Sequence, residues 1–131
     1  MSLEYEGELR CKLVHQPSSE VIRTDAPTDN RGRGEAFSPT DLVGAALLSC
    51  AVTTMAIKAA QEGIPFTSAT GRVVKEMTTT PPRRIARLSI DIDLPHASDA
   101  HRARLEEIAR TCPVALSLAR ELDVEMRFHH R

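Results

Sequence analysis

One stretch constrains this chain more than any other. Residues 38–63 read as a single helix, and its middle, residues 42–57, carries no charge and is apolar or small on every side. A helix that is apolar all round has to be covered on every face, by protein or by lipid. Its uncharged part would span ~24 Å at about 1.5 Å per residue, short of a ~30 Å hydrocarbon core, and Ser, Thr and Gly dilute it. The expectation is a buried helix and no membrane. In a chain of 131 residues, that demands sheets folded over the helix or a second copy of the chain.

The helix boundaries are written in the sequence. Ser38 is placed to cap it, Pro39 suits the first helical position, and Asp41 completes a capping-box-like pattern with a shorter acid. Gly63 is the stop signal, with Pro65 just beyond. Before it, residues 3–14 alternate between Leu3, Tyr5, Leu9, Cys11, Leu13 and Glu4, Glu6, Glu8, Arg10, Lys12. That period of two predicts one half-buried strand. A turn at 16–19 and a short strand at 20–24 follow. Residues 25–37 hold two Gly, a Pro, Arg31 and Arg33, and form a loop longer than most connections.

After the helix, residues 69–78 and 84–94 predict an antiparallel hairpin turning at Thr79-Thr80-Pro81-Pro82. Ser98 and Asp99 open a helix running through Thr111, with Leu105, Ile108, Ala109 and Cys112 on its apolar stripe. Pro113 starts a further short helix to about Arg120, and residues 122–128 end the pattern as a strand. The elements predict a single α+β domain over residues 1–131, with antiparallel sheets around a buried central helix.

Net charge is −1 with a pI near 6.5, which leaves no electrostatic footprint for nucleic acid. Arg102, Arg104 and Arg110 are interleaved with Glu106 and Glu107 and read as a solvated helix face. The opening residues are acidic where a signal peptide is basic and then apolar, so a cytoplasmic location is expected. His15, His96, His101, His129 and His130 fall at turns, a helix start and the tail, and read as surface residues. No ligand spacing points to a metal, and no cofactor is expected.

Three cysteines without a CxxC pair or zinc-like spacing leave each thiol to be weighed alone. Cys11, between Leu9 and Leu13, reads as a small aliphatic residue in a core. Cys50 lies mid-helix, where spacing alone reads as core and the helix dipole gives no help. As a nucleophile it would need a cation from elsewhere, and the loop holding Arg31 and Arg33 leads directly into its helix. Cys112 precedes Pro113 at a helix start, where unpaired N–H groups would lower its pKa; alternatively it plugs a corner between helices.

Residues 37–50, Phe-Ser-Pro-Thr-Asp-Leu-Val-Gly-Ala-Ala-Leu-Leu-Ser-Cys, resemble the helix carrying the reactive cysteine of the OsmC/Ohr hydroperoxide reductases. Cys112-Pro113-Val114, with Ser117 following, is similar to that family's second-cysteine motif. The resemblance implies an OsmC-like fold interlocked as a homodimer, with a peroxide site at each end of the interface. It implies that Cys50 attacks a hydroperoxide and becomes a sulfenic acid, and that Cys112 condenses with it to a disulfide. A dithiol reductant, a lipoyl protein or a thioredoxin-like one, then restores the pair, in an antioxidant stress response. The family places a glutamate ten residues before the reactive cysteine to orient an arginine; here that position is Thr40. The pair would then be rebuilt from Arg31 or Arg33 with Glu35 or Asp41. Thr40 also favours a rival reading, a non-enzymatic dimer of this kind holding an apolar ligand at its interface.

Overall fold

A computed structural model describes residues 1–130. The elements follow the order β1 (Ser2–Gly7), β2 (Arg10–His15), β3 (Glu20–Asp25), α1 (Pro39–Glu62), β4 (Thr70–Met77), β5 (Ile85–Asp93), α2 (Asp99–Arg110), α3 (Pro113–Ser117) and β6 (Asp123–His129). The fold class is α+β. Its contacts separate two compact units, Met1–Val43 and the chain from Gly44 onward.

The first unit is the antiparallel sheet β1-β2-β3 and the segment after it. The single strand expected over 3–14 is in fact a hairpin. Glu8 and Leu9 both take left-handed backbone, φ 52° and 63°, between paired Gly7 and Arg10. Two consecutive positive φ values give the turn whose twist suits adjacent strands. Gly7 pairs with Arg10, but a register shift between Tyr5 and Gly7 restores shared parity beyond it, so Tyr5 pairs with Cys11 and Leu3 with Leu13, and the alternation resumes across the turn. One strand and one hairpin therefore write the same pattern. The face bearing Leu3, Tyr5 and Ile22 stays open within the chain, at 62%, 61% and 50% exposed.

Asp25 closes this unit. Its carboxylate is fully buried and accepts hydrogen bonds from the Glu35 N–H at 3.0 Å and from Arg10 at 3.3 Å. The Glu35 N–H holds it below the usual carboxylate range, burial opposes that, and the Arg10 charge adds to it. Gly32 is required here, because a Cβ on it would lie 1.7 Å from the Ala26 carbonyl oxygen. The loop of 25–37 is thus tied down at its centre.

In the second unit, the buried residues of α1 are Gly44, Leu47, Ala51, Met55 and Ala59. They recur every three or four residues and so form one stripe. The helix expected to be covered all round is covered along this stripe within the single chain. Ile57 is 52% exposed, and Ala46, Ser49 and Thr53 are open as well. With 24 residues α1 also meets the length and apolarity of a membrane span, and sheet packing accounts for its buried stripe. At Gly44 an added Cβ would touch Val73 and Leu88, which fixes how closely α1 lies on the sheet. Gly63 ends the helix at φ 68°, with the Ile64 N–H donating to the Ala59 carbonyl at 2.8 Å.

The sheet β4-β5-β6 is mixed, where antiparallel pairing was expected throughout. β4 and β5 form the hairpin read from the sequence, but β6 runs parallel to β5. The cause is the crossover. Parallel neighbours need a long connection, and α2 with α3 carries the chain back to the starting end of β5. Leu88, Ile90, Ile92, Leu105, Ile108 and Met126 make the aliphatic core of this unit. The other face of the sheet is charged, with Arg72, Arg127 and His129 converging on Asp91.

Gly71 marks the tightest approach of helix and sheet, where a Cβ would sit 2.9 Å from the Asp91 carbonyl oxygen and 3.0 Å from Leu48. Gly71→Ala is expected to cost about 1–3 kcal/mol through overpacking. Denaturant unfolding checks this: the midpoint should fall, and an unchanged midpoint would contradict the close approach.

Candidate active site

Cys50 and Cys112 come together inside the second unit. Cys50 projects from α1 half-buried, next to Ala51 on the packed stripe. Four residues on, one turn along the same face, the Thr54 hydroxyl lies 3.8 Å from its sulfur.

The chain brings Cys112 there by a sharp change of direction. α2 ends at Arg110, and the Thr111 hydroxyl donates back to the Glu107 carbonyl at 2.9 Å. Pro113 then disfavours helical backbone at the residue before it. Cys112 accordingly is extended, φ −66° and ψ 155°, and caps α3, whose first position Pro113 fills. The Ser117 hydroxyl donates to the Pro113 carbonyl at 2.7 Å and steadies that short helix. The α3 helix is five residues long and stops at Ser117, shorter than the sequence suggested, because Leu118 is already extended. The result is a Cys112 side chain with no exposed surface.

The two thiols bear on each other's ionisation, and neither is bridged. Their acidities are pushed apart. Burial opposes ionisation of Cys50, but hydrogen bonds from the Val114 N–H, the Thr54 hydroxyl and the Cys112 thiol outweigh it, and its pKa falls below the ordinary value. Burial pushes the Cys112 thiol up, and the bond to Cys50 and the charge of Cys50 add to this against the N–H groups of Ala115 and Val114. The acidity expected for Cys112 at a helix start is therefore reversed. The first N–H groups of α3 serve Cys50 as well, while Cys112 faces a thiolate in a dry position. Among the described residues of its unit, the groups that lower the Cys50 pKa are neutral donors.

The charged residues singled out in the sequence lie in the first unit and pair differently from expectation. Glu35 accepts from Arg10 at 2.5 Å, not from Arg31 or Arg33. Arg33 pairs with Glu8 at 3.4 Å. Asp41 accepts from the Ser38 N–H at 2.9 Å while the Ser38 hydroxyl accepts from the Asp41 N–H at 3.0 Å, a reciprocal cap. The Thr40 hydroxyl lies 3.1 Å from that of Ser38. Arg31 is exposed and holds left-handed backbone at φ 68°, just past the single 3-10 turn at Thr28–Asn30.

Sequence reasoning missed Arg10, Asp25, Thr54 and Val114. The signal for Thr54 was available, since position i+4 shares a helix face with Cys50. Arg10 read as one more charge on a solvated strand face. His130 was also misjudged: its side chain is 9% exposed and lies 3.0 Å from Glu106. Cys11, read as core, is half-buried on the open sheet. Among the described residues, no three His, Cys, Asp or Glu side chains cluster as a metal would require.

The fold is shared with solved structures. A protein from Psychrobacter arcticus assigned to osmotic stress induction and the detoxification response is 38% identical, over 98% of this chain and 93% of that one, with a TM-score of 0.90. An organic hydroperoxide resistance protein OsmC from Legionella pneumophila is 15% identical, over 98% and 95%, with a TM-score of 0.79. A protein from Vibrio cholerae assigned to organic hydroperoxide resistance, with captopril bound in one of its active sites, is 13% identical, over 97% and 89%, with a TM-score of 0.78. No curated protein matches the chain. The family model described as OsmC-like protein matches residues 32–127, and the chain belongs to the OsmC-like family.

Proposed function

We propose that the protein is a thiol-dependent peroxidase that reduces organic hydroperoxides, with Cys50 as nucleophile and Cys112 as the thiol that resolves it. The observation that carries this reading is the pair of unbridged thiols, one made more acidic and the other less. A thiolate is the nucleophilic form of cysteine, and a sulfenic acid beside a second thiol condenses to a disulfide. Membership of a family that includes organic hydroperoxide resistance proteins supports the same substrate class. The Cys50 thiolate attacks the terminal peroxide oxygen, the O–O bond breaks and an alcohol leaves. Cys112 then displaces water from the sulfenic acid. A dithiol, from a lipoyl or thioredoxin-like protein, reopens the disulfide, and a reducing cytoplasm is the setting that suits three unbridged thiols.

The working unit in this reading is a homodimer. The open face of Leu3, Tyr5 and Ile22 and the uncovered side of α1 are both apolar surface that a second copy would bury. Arg31 and Arg33, on a loop that precedes α1, remain the arginines proposed to draw anionic character toward the site, with Asp41 fixing the start of that helix.

Intact mass after one equivalent of cumene hydroperoxide tests the chemistry. The wild type should lose two hydrogens through a Cys50–Cys112 bond, and Cys50→Ser should lose none. Protein that stays reduced while the hydroperoxide persists would contradict the reading. Sedimentation tests the assembly: a species of twice the 14.4 kDa chain is expected. Tyr5→Asp with Ile22→Asp should shift it toward monomer, and a monomeric wild type would rule the homodimer out.

A further inference from the structure

Resting on the peroxidase reading, we propose that Thr54 is a catalytic residue of the first step. Its hydroxyl contacts the hydroperoxide at the Cys50 sulfur and relays a proton from the attacked oxygen to the leaving one. The geometry behind this is the 3.8 Å between the Thr54 hydroxyl oxygen and the Cys50 Sγ, within hydrogen-bond reach of a sulfur. Helix α1 sets that distance, because residues four apart lie one turn along on the same face. Both side chains are half-buried, so sulfur and hydroxyl share one partly open position rather than a sealed core.

A hydroxyl in the middle of a helix commonly turns back onto a carbonyl of the preceding turn. Ser49 does so: exposed on the same helix, it donates to the Ala46 carbonyl at 3.2 Å. The Thr54 hydroxyl is instead turned to the sulfur, and its β-branched side chain is stiff at χ1, which keeps it there. A hydroxyl carries one proton and two lone pairs, so it can donate and accept at once. That is the capacity the first step calls for. The leaving alkoxide is a strong base, comparable to hydroxide, whose conjugate acid in bulk water has a pKa of about 15.7. A positioned group that supplies its proton is worth about 10²–10⁴ in rate.

In the step so assisted, the Cys50 thiolate attacks the terminal oxygen of RO–OH, the S–O bond forms and the O–O bond breaks. Cys50 is oxidised by two electrons and the peroxide is reduced by the same pair. As the attacked oxygen gives its proton to the Thr54 oxygen, the Thr54 proton passes to the leaving oxygen. The products are ROH and the Cys50 sulfenate, with Thr54 regenerated and the single negative charge conserved. The sulfenate takes a proton from solvent and becomes the sulfenic acid that Cys112 resolves. Neither a free alkoxide nor a charged threonine is formed on the way.

Two reagents, each followed against pH, separate this role from simple support of the thiolate. Iodoacetamide, read by the mass of the Cys50 peptide, reports the thiolate and has no O–O bond to break. Single-turnover consumption of cumene hydroperoxide reports the thiolate and the relay together. Thr54→Val keeps the branched shape and loses the hydroxyl. Its hydroperoxide rate on the high-pH plateau should fall about 10²-fold, while its alkylation plateau stays at the wild-type value. Thr54→Ser should recover most of the hydroperoxide rate. A Thr54→Val hydroperoxide plateau equal to wild type, or one that falls in step with alkylation, overturns the relay while the peroxidase reading stands. Wild type that consumes the hydroperoxide no faster than free cysteine, although Cys50 is alkylated, overturns the peroxidase reading instead.

Discussion

Two thiols that bear on each other's ionisation, one half-buried and one without exposed surface, are the interaction on which the rest of this molecule turns. Two cysteines in such contact do not titrate independently. Whichever ionises first makes the second harder to ionise, so the environment has only to break the tie. Here it does so twice. Cys50 is only half-buried and receives the Val114 N–H and the Thr54 hydroxyl, while Cys112 has no exposed surface. Desolvation then falls mainly on the thiol meant to stay neutral.

The fold can be understood as the apparatus that creates that contact. α1 fixes Cys50 by its packed stripe, with Gly44 and Gly71 letting helix and sheet close to van der Waals distance. The α2–α3 corner fixes Cys112, through a proline that forces extended backbone where a helix would otherwise continue. That same crossover sets β6 parallel to β5, so sheet topology and site geometry share one cause.

Much of this was legible in the residues. The caps of α1, the β4–β5 hairpin and the break at Cys112-Pro113 are local signals with local mechanisms, and each appears where the sequence puts it. What failed was information that local pattern does not contain. Alternation could not tell a strand from a hairpin at Glu8-Leu9, because a register shift between Tyr5 and Gly7 leaves the outer pairs with the same parity. The acidity of Cys112 was inferred from its own helix start, yet it depends on Cys50, which lies far away along the chain. Glu35 could not be assigned to Arg10 from sequence, since β2 reaches it only through the folded loop.

The central claim is that ionisation in this pair belongs to Cys50. Thiolate ultraviolet absorbance, titrated in a Cys11→Ala background, measures it directly. One thiolate should form with a midpoint below the ordinary value of about 8.5 and vanish in Cys50→Ser, the second forming only well above it. A low midpoint that survives Cys50→Ser, or two midpoints at or above the ordinary value, would contradict the account.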